Sequence, residues 1–295
     1  FVNDKQIPAS EAAKFLITGE SSAVTMPDGS VHVMGRSTQG GVVQYSFTPD
    51  GNDWAHDDLF NTANWTVAHR EIPGVILAED TVPAGPLGFS ATTTDGHWIA
   101  IPINPSAATT DLTLASGSVD ASRVYSTVSV TLGDNGVLYG YGTNQTGNLI
   151  EYRIDGSAVS TRQIDATSRE TRVMRNVRAL TMPNGVRHVF ATDGTSRLVH
   201  WTIDSSSVLQ ENISQQTADN GQNFGYFPFQ QPFTGRVYTY VAPLVEDDGT
   251  IRVYGTNGGD LIEFTLPPSG QWRVANLTND TNGTYGADGP GYRVP

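Results

Sequence analysis

Apolar and polar residues alternate along this chain in short runs, and the runs recur. One phrase joins a turn, an apolar strand ending in a small residue, a polar loop and a second strand that closes near an aromatic. It reads DGSVHVMGRSTQGGVVQYSF from Asp28. It returns as NGVLYGYGTNQTGNLIEYRI from Asn135, NGVRHVFATDGTSRLVHWTI from Asn184 and DGTIRVYGTNGGDLIEFTL from Asp248. A fifth copy, DGHWIAIPINPSAATTDLTL from Asp95, keeps the turn and the first strand but has Pro102 where the others have Gly35, Gly142, Ala191 and Gly255. A period of two marks a strand with one buried face, and the longer period of a helix is almost absent.

The copies start 67, 40, 49 and 64 residues apart. Repeats of about 40 to 50 residues with loops of variable length predict propeller blades. The dipeptides Asp28-Gly29, Asn135-Gly136, Asn184-Gly185 and Asp248-Gly249 accept positive φ and predict tight hairpins. Upstream of each turn lies a candidate inner strand: Ser22 to Met26, Gly88 to Thr93, Thr127 to Leu132, Val177 to Met182 and Val237 to Leu244. Candidate outer strands follow at Trp65 to Ile72, Val159 to Ile164, Val208 to Ile213 and Trp272 to Leu277, with none assigned to the second unit. The expectation is an all-β fold, a five-bladed β-propeller of four-stranded antiparallel blades, at about residues 20–75, 86–125, 126–170, 176–215 and 236–280. With no linker between copies, residues 1–295 read as one domain, and a start without Met suggests a segment of a longer chain.

Composition narrows the partners. With 30 Asp and Glu against 17 Lys and Arg the net charge is −13, which disfavours nucleic acid and anionic lipid, and no apolar run is long enough to insert into a membrane. The absence of cysteine removes disulfides, thiolate metal sites and a thiol nucleophile. A low lysine content among many Thr, Asn, Gly and Asp residues suggests an extracellular or cell-surface protein of bacterial type.

Two sets of residues carry candidate chemistry. Tyr45, Tyr152, Trp201 and Phe264 share one repeat position, where they either fill the space between blades or stack on sugars. Their alternating neighbours Gln44, Glu151, His200 and Glu263 point to the opposite face, as hydrogen-bonding groups for hydroxyls or as solvated polarity. The second set is the insertion TPDGNDWAHDDLFNTANW, where Asp50, Asp53, Asp57 and Asp58 form an oxygen-rich patch suited to calcium, although the spacing is not that of an EF-hand. A further insertion gathers Phe224, Tyr226, Phe227, Phe229 and Phe233. It is either a partner surface or a cap on the core.

The phrase from Asn184 to Trp201, echoed across residues 22 to 277, resembles the blades of bacterial and invertebrate propeller lectins of the Photorhabdus type and the tachylectin-like group. The resemblance implies several weak, equivalent sugar pockets between blades, used multivalently. The leading expectation is a non-catalytic carbohydrate-binding or adhesive module whose partners are glycans or cell-surface polysaccharide. Two alternatives stand beside it. One is a structural or protein-interaction module contacting neighbouring domains. The other is a propeller glycoside hydrolase, which needs paired carboxylates in the channel, whereas the candidate inner strands contain no Asp or Glu.

Overall fold

In the computed structural model the described residues are 17–26, 28–37, 42–50, 53–58, 74–76, 89–92, 95–101, 110–126, 128–133, 136–164, 175–214, 216, 239–257 and 260–277. They form five four-stranded antiparallel sheets, each with its strands in chain order. The first comprises β1 (Ile17–Thr25), β2 (Val31–Ser37), β3 (Val42–Phe47) and β4 (Trp54–Asp58). The second comprises β5 (Gly74–Ile76), β6 (Phe89–Thr92), β7 (Trp98–Ile101) and β8 (Thr110–Asp111). The third holds β9 (Ser129–Leu132), β10 (Leu138–Thr143), β11 (Leu149–Asp155) and β12 (Ala158–Ile164). The fourth holds β13 (Arg175–Thr181), β14 (Arg187–Thr192), β15 (Leu198–Ile203) and β16 (Val208–Asn212). The fifth is β17 (Thr239–Val245), β18 (Ile251–Asn257), β19 (Asp260–Leu266) and β20 (Arg273–Asn276).

The repeat turns are three-residue loops, one residue longer than the dipeptides suggest. At the first, the Met26 carbonyl accepts from Gly29 N–H at 2.8 Å and Met26 N–H donates to the Ser30 carbonyl at 2.8 Å. Met182 with Gly185 and Val186, and Glu246 with Gly249 and Thr250, make the same pair of bonds. Such a loop needs positive φ only at its last residue, and Gly29 supplies it at φ 85. The acidic or amide residue is chosen for its side chain: Asp28 accepts from Ser30 N–H, Asn184 from Val186 N–H and Asp248 from Thr250 N–H.

Three strand expectations are corrected. The fourth strand of the first sheet is Trp54–Asp58, inside what reads as an acidic surface loop, and Trp65 to Ile72 lies outside the described residues. In the second sheet, Gly88 to Thr93 supplies the second strand, because the short segment Gly74–Ile76 takes first place beside β1. Its Asp95-Gly96 turn therefore joins second and third strands, whereas elsewhere the repeat turn joins first and second. Third, β1 begins at Ile17 and includes Glu20, at an irregularity in the pairing between Ile17 and Ser21.

First strands of successive sheets lie side by side, β1 with β5, β9 with β13 and β13 with β17. The core is shared between faces. Trp98, Ala100 and Leu112 of the second sheet and its flank pack on Leu138, Ile150, Tyr152 and Ile154 of the third. Tyr141, Leu149 and Ile164 of the third meet Val177, Val189, Ala191, Val199 and Trp201 of the fourth. Phe190, Leu198 and Ile213 of the fourth meet Val241, Val253, Ile262, Phe264 and Trp272 of the fifth. Two four-residue helices, α1 (Leu112–Ala115) and α2 (Val119–Ser122), follow β8 and contact β12. Asp111 caps the first by accepting from Leu114 N–H and bonds His97 at 2.7 Å. Among the described residues no helix is long and apolar enough to cross a membrane.

Candidate functional site

Period-two alternation on the third strand of each sheet turns one side chain to the preceding sheet and its neighbour to the following one. The aromatic column looks back. Tyr152, Trp201 and Phe264 are buried in three successive cores, each at 1% exposure or less, and Tyr45 is half-buried. Trp201 has no ring face open to a sugar, so these side chains act as packing between sheets. Tyr152 Oη also accepts from Thr113 Oγ1 at 2.9 Å and donates to the Ser122 carbonyl, tying the α1–α2 segment to the third sheet.

The polar column looks forward, and it is buried as well. Gln44, Glu151, His200 and Glu263 are all under 7% exposed, which overturns the expectation of solvated polarity. Buried polar groups require partners, and each copy supplies different ones. Gln44 Nε2 lies 2.8 Å from His32 Nδ1 and 3.1 Å from Ser46 Oγ. Glu151 accepts from Tyr141 Oη at 2.8 Å and from Arg162 Nε at 2.5 Å, and Arg187 reaches it from the fourth sheet at 3.4 Å. The Arg187 guanidinium also covers the Tyr139 ring at 3.9 Å, a cation–π contact, and donates to Tyr141 at 2.7 Å. Glu263 accepts from Arg252 Nη1 at 2.8 Å, and Arg252 also pairs with Glu246. Equivalent positions thus hold a neutral amide cluster, an ion-paired plug and an Arg–Glu network, so the described copies are not equivalent pockets.

The gap between the fourth and fifth sheets is different, for it encloses a cleft of about 490 Å³. His200 and Trp272 lie at its base, and Thr202, Glu211, Gln216, Leu266 and Gln271 complete much of the wall. His200 is stacked on Phe190 at 4.7 Å and on His188 at 5.0 Å, with Trp272 edge-on at 5.4 Å. Its Nδ1 lies 3.3 Å from Glu211 Oε2 and its Nε2 2.8 Å from His188 Nδ1. An ionised carboxylate only accepts, so His200 carries its proton on Nδ1 and receives the His188 Nδ1–H on Nε2. Burial and the neighbouring His200 hold His188 down to about 4, and burial likewise lowers His200, so both rings are neutral at neutral pH. A hydrogen bond from His200, opposed by burial and aided by Gln216 and Trp272, holds Glu211 down to about 2. The cleft therefore presents a fixed carboxylate, carboxamides and a hydroxyl above an aromatic floor.

Of this set the sequence reading named His200 alone. Glu211 is its direct partner across β15 and β16, so the register of the expected outer strand is the signal that reaches it. Gln216 and Trp272 sit outside the repeat phrase and had no such signal. Of the acidic patch, Asp57 and Asp58 are on β4, paired with Gln44 and Val43, and their side chains lie outside the described set. Asp50 accepts from Thr48 Oγ1 at 2.6 Å and Asp53 from Trp54 N–H at 2.9 Å. Among the described residues no group of three His, Asp or Glu is arranged to hold a metal ion. Phe224, Tyr226, Phe227, Phe229 and Phe233 lie outside the described residues.

No protein-family model matches the chain, and no curated protein matches its sequence. Solved structures do. AofleA from Arthrobotrys oligospora superposes with a TM-score of 0.55 at 13% identity, over 90% of this chain and 73% of that one. The lectin of Aleuria aurantia, described as a fungal lectin with a six-bladed β-propeller fold and a novel fucose recognition mode, gives 0.51 at 14% identity over 92% and 82%. A second structure of that fucose-specific lectin gives 0.50 at 14% over 89% and 78%. These relatives by structure are fungal, where the repeat phrase suggests bacterial and invertebrate ones, and what they share with this chain is architecture: its four-stranded sheets are blades of a β-propeller.

Proposed function

We propose that this chain is a five-bladed β-propeller that binds carbohydrate without transforming it, through the cleft between its fourth and fifth sheets. The observation that carries the reading is the cleft itself, in which Glu211, Gln216, Gln271 and Thr202 converge over His200 and Trp272. Carboxylate, carboxamide and hydroxyl groups are the acceptors and donors that a polyhydroxylated ligand requires, and few sites of this kind occur per protein. The fold it shares with fucose-binding lectins supports the same reading. Binding without turnover is supported by Glu211, the carboxylate of the cleft's described lining, whose carboxyl is held down to about 2 and so is unfit as a general acid. The composition supports action outside the cell or at its surface, with glycans as partners.

A glycan array probed with the purified chain tests the reading, run with calcium and again with a chelator so that the Asp50, Asp53, Asp57 and Asp58 patch is tested too. Saturable binding is expected, without product formation, and Glu211→Ala should remove it while the thermal transition is retained. Binding that survives in Glu211→Ala overturns the assignment of the site, and no binding by folded protein overturns the function.

A further inference from the structure

The cleft is chemically one-sided, and that has a bearing on which sugars it takes. Among the described residues its lining holds one carboxylate and neither lysine nor arginine. Both Glu211 oxygens are anchored, Oε2 by His200 and Oε1 by Gln216 at 3.1 Å, with the Trp272 indole a further donor, yet a carboxylate has about four acceptor positions and the side chain is 25% exposed. The imidazole beneath it is neutral, so among the described residues nothing in the lining balances the negative charge. The neighbouring gap makes the contrast. There Glu151, at the position equivalent to His200, is paired with Arg162 and Arg187. The whole chain adds a net charge of −13, which deepens the negative potential a cleft focuses.

We propose, resting on the carbohydrate reading above, that this cleft selects sugars bearing a protonated amine, the deacetylated hexosamines, with the ammonium on Glu211 and hydroxyls on Gln216, Gln271 and Thr202. An N-acetylated sugar loses the charge and keeps the hydroxyls. A uronic acid places like charge against Glu211 and is rejected. Charge-assisted bonds to a carboxylate are shorter and stronger than neutral ones, which sets the order of affinities.

Calorimetric titration of the whole chain around pH 6, where an aliphatic amine is protonated and His188 is not, separates the cases. The probes are a glucosamine oligomer, its N-acetylated counterpart, a galacturonate oligomer and an oligolysine of matched charge. The glucosamine oligomer is expected to bind about tenfold more tightly than the acetylated one, about 1.4 kcal/mol, with an affinity that falls as salt rises. Glu211→Gln, which keeps an acceptor for the His200 Nδ1–H, should erase that advantage and bring the two oligomers to the same affinity. Equal affinity for both oligomers, binding of the galacturonate, or oligolysine binding as tight as the amino sugar each overturns the amine preference while leaving carbohydrate binding intact. If none of the saccharides binds to folded protein, the carbohydrate reading falls with it.

Discussion

At the scale of single residues, the repeat is maintained by exchange of volume between neighbouring sheets. A Cβ on Gly140 of β10 would lie 1.8 Å from Trp98 Cη2 and 2.3 Å from Cζ3. Three other copies have Val33, Val189 and Val253 where this one has glycine, the second has Ala100, and Val31, Leu138, Arg187 and Ile251 stand where the second has Trp98. Bulk has moved from one strand to the facing one, and the indole fills the space edge-on to Tyr152 at 4.6 Å. The fit has a cost, since Trp98 Nε1 is buried without a hydrogen-bond partner. Gly140→Val is expected to destabilise by about 3 kcal/mol through overpacking, and Trp98→Leu by a similar amount through the cavity it leaves. The double variant restores the volumes of the other copies and should fall short of the sum by at least ~1 kcal/mol in urea unfolding. Additive losses would show that the two positions do not share the space.

At the scale of strands and hairpins, one loop shape is built from two sequences. Between β10 and β11, Asn144 N–H donates to the Asn148 carbonyl and Gly147 N–H to the Asn144 carbonyl, with Gly147 at φ 82. Between β14 and β15, Asp193, Arg197 and Ser196 repeat those bonds, but a serine occupies the left-handed position at φ 65. That conformation costs an L residue roughly 1–2 kcal/mol, part of which glycine returns as unfolded-state entropy. Ser196→Gly should therefore raise stability by about 0.5–1 kcal/mol, read as a higher denaturant midpoint at unchanged slope, and a lower midpoint would refute the strain. Turns of this kind are why four of the five sheets were legible in the sequence: Asp or Asn before Gly fixes a hairpin locally. The second sheet was not, because its first strand, Gly-Val-Ile, is too short to alternate, and its turn serves a different pair of strands. The site was legible only at His200. An alternating pattern reports which face a residue takes and not what covers that face, so it left Trp201 open between packing and sugar stacking, and a sheet lies against it. Trp272 precedes β20 at a position where the first sheet has Trp54 and the fourth Val208, and the repeat phrase ends before it.

At the scale of the whole molecule, contact between the fourth and fifth sheets depends on two imidazoles remaining uncharged. His188 and His200 are stacked between Phe190, Trp272 and the cleft, with Glu211 the acidic neighbour that opposes the shift. His188 titrates at about 4 in the folded chain against 6.5 when unfolded. Above about pH 6.5 neither state binds the proton and the group adds no pH dependence. Between about 6.5 and 4 the unfolded chain takes up a proton that the folded chain refuses, so stability falls with pH by about 1.4 kcal/mol per unit, on the order of 3 kcal/mol in all. His200, lowered in the same direction, steepens the same window. Glu211 acts lower down: its carboxyl, held at about 2 against 4.5, contributes stability that is lost only as pH falls below about 4.5. The acidic surface works against this trend, because carboxylate protonation relieves the self-repulsion of a chain at −13. A variant separates the two effects. His188→Asn keeps a donor for His200 Nε2 and cannot titrate, so its stability between pH 6.5 and 4 should decline with a slope one proton smaller than that of the parent chain. Urea unfolding across that range gives the proton count directly, and parallel profiles for the two proteins would show that the acid sensitivity arises elsewhere.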